Sequence, residues 1–154
     1  MAGGLPVEPV DVVRLVMEAG WKGWHVVTAT AIAKAESNHD AYAVGVVKTE
    51  ERNSPETGEM GELEPNPAWR SLDVGLFQIN THWHPQHKIA DLLDPAYNTA
   101  AAYKLWQGTF DRTAGSWADR THAAWSPWAV YDTGAFEQYL SMAAQAAREA
   151  GAIQ

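Results

Sequence analysis

Two carboxylates stand apart by their settings, Glu36 and Asp73. Val26 to Ala35 is nearly all small or apolar, a composition that predicts a helix buried on every side. Glu36 follows at the C-terminal end of that helix, beside the negative pole of its dipole. Burial and dipole both disfavour the ionised form, so both raise the pKa and make Glu36 a candidate general acid. Asp73 lies in the stretch SLDVGLFQINTHW, Ser71 to Trp83, where Leu72, Val74 and Leu76 alternate with Ser71, Asp73 and Gly75 as in a half-buried strand. With Ser71 and two amides nearby, Asp73 suits the role of an ionised partner. One protonated and one ionised carboxyl facing each other is the arrangement of glycoside hydrolysis. The residues alone leave plainer roles open: a salt bridge at a helix end for Glu36, a turn or cap for Asp73.

The same stretch carries groups suited to holding a polar ring. Gly75 interrupts the alternation where a glycine allows a bend or a close approach to the backbone. Gln78 sits among Leu76, Phe77 and Ile79 and must find hydrogen-bond partners if it is buried. Asn80 adds a second amide and Trp83 an aromatic face, a combination that fits a sugar. The following HWHPQH places His82, His84 and His87 close together, but no acidic fourth ligand has helical spacing with them. They are expected on the surface or lining a cleft, with no metal and no cofactor.

The elements that must position these groups follow from caps and breakers. Residues 1–7 are expected as a loose lead-in. Pro9 suits the first turn of a helix that Gly20 ends, and a second helix runs from about Gly23 to Ser37 with Asn38 as its cap. Ala41 to Val47 suits a short strand or turn. Residues 48–67 are polar, acidic and rich in Gly and Pro, and are expected as a surface loop, either a solvated excursion or a flap over the cleft. Asp94 and Pro95 supply an N-cap and a first-turn proline for a helix reaching Gly108. Short helical pieces and turns with Trp117, Trp125, Trp128 and Tyr131 come next, then a last helix from Phe136 to Ala150 before Gly151. No repeat divides the chain, so residues 1–154 are expected as one mainly α domain of α+β type with a small β lobe.

Composition excludes several function classes. With 11 Lys+Arg against 19 Asp+Glu the formal net charge is −8, which argues against a broad nucleic-acid-binding surface. No apolar stretch approaches the ~20 residues of a membrane span, and the N-terminus lacks the basic head and apolar run of a signal peptide. Synthesis in the cytoplasm is therefore expected. There is no cysteine, hence no disulfide framework.

SLDVGLFQINTHW resembles the segment of chicken-type lysozymes that carries their second catalytic carboxylate, with Ser71, Asp73, Gly75, Gln78, Ile79, Asn80 and Trp83 as identities. Glu36-Ser37-Asn38 resembles the segment bearing their catalytic acid, also at a helix end and upstream. A helix ending in Glu-Ser followed by GLFQIN is shared with the wider lysozyme-like superfamily, soluble lytic transglycosylases included. The layout, with its tryptophan-rich closing stretch from Ser126 to Phe136, is similar to lysozyme-like domains of actinobacteriophage endolysins and tail proteins.

The resemblance implies a lysozyme-like fold and cleavage of the β-1,4 bond between N-acetylmuramic acid and N-acetylglucosamine in peptidoglycan. It gives Glu36 the role of acid, Asp73 that of nucleophile or stabiliser, and Gln78, Asn80, Trp83, Tyr97 and Trp128 places along the sugar subsites. It implies action at the cell wall, with the domain fused to or delivered with a wall-binding or tail protein. A lytic transglycosylase using Glu36 alone, closing a 1,6-anhydro ring, is one alternative. A wall-binding or tail module without the chemistry is another.

Overall fold

Pro9 opens helix α1 (Pro9–Ala19), where its missing N–H is no loss, and Gly20 at φ 137° closes it by donating to Val16 and Met17 carbonyls. The computed structural model describes residues 4–48 and 70–154. Helix α2 (Trp24–Ser37) ends where Asn38 turns left-handed at φ 58° and donates its N–H to Lys34 O. Val26, Val27, Ala29, Thr30, Ala31, Ile32 and Ala33 are all buried, but α2 is not enclosed on every side as its composition predicts. Trp24 is exposed, and Thr28 and Ala35 on the same face are half-buried, because small and apolar residues continue onto a face that no other element covers fully. Around it pack α1 and the C-terminal helix.

The lead-in expected to be loose is pinned at Leu5 to Val7. Leu5 N–H donates to Asp40 Oδ1, Ala41 N–H to Leu5 O and Val7 N–H to His39 O, so this segment pairs with the chain leaving α2.

Three antiparallel strands form the β lobe in the order β1 (Val44–Lys48), β2 (Arg70–Val74), β3 (Ile79–Asn80). Lys48 closes β1, and the rest of the surface loop expected over 48–67 lies outside the described residues. Asp73 sits opposite Gly45 on one side and Asn80 on the other. The alternating pattern read through Leu76 stops at Val74. Gly75, at φ 85°, turns the chain there, and Leu76 and Phe77 go into the core from a tight turn.

A short helix that the sequence did not announce, α3 (Ile89–Leu92), buries Leu92. In α4 (Pro95–Arg112) the cap is the expected one: Asp94 accepts from Ala96 and Tyr97 N–H groups. The helix does not stop at Gly108. A glycine inside a helix costs only ~1 kcal/mol, and continuing packs Phe110 on Trp106 at 5.3 Å between ring centroids and under the Arg120 guanidinium at 4.2 Å. Helices α5 (Trp117–Trp125), opened by a Ser116/Asp119 capping box, and α6 (Ala129–Asp132) follow. The last helix begins later than expected: Ala135–Tyr139 is a 3-10 turn, and α7 (Leu140–Glu149) carries on from it. Ala143, Ala144, Ala146 and Ala147 are its buried side, small enough to lie close against α1 and α2.

Trp21 is the centre of the core, stacked between Phe77 at 5.6 Å and Trp125 at 5.7 Å. Of the eight tryptophans, Trp21, Trp106, Trp125 and Trp128 are buried, whereas Trp24, Trp83 and Trp117 are exposed. The result is the mainly helical α+β domain expected, with a small sheet on one side. Among the described residues no helix is long and apolar enough to cross a membrane.

Candidate active site

Glu36 stands in the last turn of α2, and its neighbour Ser37 fixes where that turn sits. The buried Ser37 hydroxyl lies 3.0 Å from Ala33 O and 2.8 Å from Leu76 O, tying the helix end to the turn after β2. Glu36 is half-buried, and burial first, then the negative charge of Asp73, pushes its carboxyl up to about 7. A carboxyl at that value still carries its proton near neutral pH, as a general acid requires.

Asp73 projects from β2 and is held by the adjacent strand. Asn80 Nδ2 donates to Asp73 Oδ1 at 2.9 Å. Asn80 Oδ1 in turn accepts the backbone N–H groups of His82 at 2.9 Å and Trp83 at 3.0 Å. The amide is thus locked in one orientation, donor side toward the carboxylate.

The turn from Gly75 to Gln78 leads from β2 to β3, and three side chains from other segments, Ser37 of α2, Asn98 and Trp128, hold it. Asn98, fully buried at the start of α4, accepts from Phe77 N–H at 2.8 Å and donates to Val74 O at 2.7 Å and Leu92 O at 2.9 Å. Trp128 Nε1 donates to Phe77 O at 3.0 Å. Gln78 satisfies its amide by donating to Ala43 O and Gly75 O, both at 3.0 Å. Close approach is why residue 75 is glycine: a Cβ there would sit 2.5 Å from Leu92 O and nearer still to Asn98 Nδ2.

A cavity of about 490 Å³ opens between helical body and sheet, lined by Glu36, Asp73, Gln78, Asn80, Trp83 and Trp128 among others. Both carboxylates and four of the five expected sugar contacts therefore share one cleft. Trp83 is 74% exposed at its edge, a free aromatic face. Trp128 is buried and presents only part of its ring. Tyr97 is not on this cleft; its hydroxyl is 2.7 Å from His87 Nδ1.

The three clustered histidines go to different places. His82 packs edge-on to Trp83, His87 meets Tyr97, and only His84 lines the cleft. Burial, then His87, holds the His84 pKa below the usual imidazole value. Sequence reasoning did not single out Asn98, because its partners are 21 and 24 residues away and no local pattern marks a buried asparagine. His84 takes the cleft-lining place that the sequence allowed for all three histidines, whereas His82 and His87 do not.

Residues 13–130 match the family described as lysozyme-like domain. The match runs from α1 through Trp128 and includes both carboxylates and the turn that follows β2. No curated protein and no solved structure matches the chain. This chain belongs to the family of lysozyme-like domains, enzymes that degrade peptidoglycan.

Proposed function

We propose that the domain is a muramidase that cleaves the β-1,4 bond between N-acetylmuramic acid and N-acetylglucosamine. The observation that carries this reading is a proton-holding Glu36, raised to about 7, sharing one cleft with an amide-braced Asp73. Glu36 gives its proton to the glycosidic oxygen as the C1–O bond breaks, and the leaving sugar departs as an alcohol. Asp73 meets the positive charge developing at C1, as ion-pair partner or by forming a glycosyl ester. Water then adds at C1 and loses a proton to Glu36, which returns the acid for the next cycle. Trp83, Gln78 and Trp128 line the path of the strand, whereas Asn80 acts through Asp73.

The resemblance to phage domains supports action on the wall as part of an endolysin or tail protein. The net charge of −8 supports the same reading, since an acidic domain gains no attraction to an anionic wall and benefits from being carried there.

Mass spectrometry of fragments released from purified peptidoglycan tests the proposal, with Glu36→Gln as control. Reducing muramic ends, absent in the control, are the expected product. Anhydro ends, lighter by one water, would make the enzyme a lytic transglycosylase. Absence of any release by the wild type would leave a wall-binding module.

A further inference from the structure

A second cavity, of about 330 Å³, adjoins the first and shares Ile79, His84 and Leu105 with it. Its character is opposite. The catalytic cleft contains two carboxylates; this one contains none, and its polar lining is Lys104, Gln86, His84 and His87. Its apolar lining is Ile79, Leu105 and the methyl of Ala101. In a chain of net charge −8, a pocket whose charged group is Lys104, beside a cleft with two carboxylates, is a local reversal of sign. Among the described residues no carboxylate lies within ion-pair distance of Lys104. His87 is steadied by the Tyr97 hydroxyl, 2.7 Å from its Nδ1.

From this juxtaposition we propose that the pocket is a subsite for the peptide stem of peptidoglycan, taking a free carboxylate of the stem on Lys104 and its small aliphatic groups on Ile79, Ala101 and Leu105. The inference rests on the peptidoglycan reading of the neighbouring cleft. The substrate chemistry matches: muramic acid carries a lactyl ether from which a short peptide branches sideways off the glycan. A strand lying across Glu36 and Asp73 needs a place at its side for that branch, and the second cavity adjoins the cleft, sharing Ile79, His84 and Leu105 with it. Lys104 offers the charge, and the Gln86 amide offers a donor for a peptide carbonyl. The subsite makes the enzyme favour stem-bearing glycan over bare glycan.

Two measurements test it. The first compares kcat/KM on glycan strands with stems intact and on strands stripped of stems by an amidase. Wild type is expected to prefer the intact strands about three- to tenfold, the range of one partly exposed charge-assisted contact, and Lys104→Gln to bring the ratio to near one. A ratio that is the same in both proteins overturns the proposal. The second is an NMR titration of Glu36→Gln protein with alanyl-γ-glutamate and with its amide. Shifts at the Lys104 and Leu105 amides from the acid and not from the amide support the subsite. Equal shifts, or none at millimolar peptide, overturn it. The titration decides the pocket even where no glycan is cleaved, so failure of the muramidase reading and failure of this one are told apart.

Discussion

Asn80 donates one amide hydrogen to Asp73 Oδ1 at 2.9 Å while its own oxygen accepts two consecutive backbone N–H groups, of His82 and Trp83. The backbone thereby decides which end of the amide faces the carboxylate. Asn80→Ala removes both the donor and the orientation of Asp73. We expect kcat to fall about 10- to 100-fold, the scale of losing a supporting hydrogen bond to a reacting group. KM is expected to change little, and steady-state kinetics on soluble glycan separates the two.

Asp73→Asn keeps the shape and the partner but removes the charge. Near-complete loss of turnover is expected, because the positive charge at C1 then has no anion beside it. A loss of less than about tenfold would move the chemistry to Glu36 alone, with anhydro products as its companion finding.

Glu36 links activity to stability through its proton. The folded protein holds that proton up to about 7, whereas the unfolded chain releases it near 4.5. Between those values the folded state binds more protons, so raising the pH through this window costs stability, up to about 3 kcal/mol when complete. Glu36→Gln should therefore match wild type in Tm at pH 4 and exceed it at pH 8 by roughly 6–12 °C, despite being inactive. In the active enzyme, kcat/KM should fall about tenfold per pH unit above ~7 as the acid is lost. Calorimetry and a pH–rate profile check the two halves; a variant less stable than wild type at pH 8 would sink the account of Glu36.

The Asn98 side chain satisfies three backbone groups of buried segments at once. Asn98→Ala leaves Phe77 N–H and the Val74 and Leu92 carbonyls without partners, and we expect a loss of about 3 kcal/mol or more. Gly75→Ala meets the same asparagine from the other side and adds a left-handed φ of 85°, so it is expected to be at least as damaging. Urea unfolding measures both.

Trp83 is a test of the subsite without the chemistry. Trp83→Ala should raise KM about three- to tenfold through lost stacking and leave kcat and Tm close to wild type, since the ring is largely exposed.

What the sequence made legible is what neighbours in the chain decide. Pro9, Gly20, Asn38 and the Asp94-Pro95 pair bound their helices because caps act within a few residues. The raised Glu36 was readable from the apolar run before it. Gln78 was recognised as needing partners; one of them, Gly75 O, is local to its own turn, but the other, Ala43 O, belongs to backbone that only the fold brings near. Gly108 misled because a glycine ends a helix only when nothing beyond it repays continuing, and Phe110 does. Tyr97 was placed among the sugar contacts by the resemblance; its hydroxyl is taken by His87, a pairing across ten residues without a pattern to announce it.

The turn from Gly75 to Gln78 draws its partners from far along the chain: 39 residues for Ser37, 35 for Ala43, and 51 for Trp128. Loops of that length must close before any of these bonds can form, and such closures come late in folding. Helices α2 and α4 can reach native length while the turn between them is still unformed. The recovery of lytic activity after dilution from denaturant should accordingly lag the recovery of helical circular dichroism, with catalysis as the last signal to return.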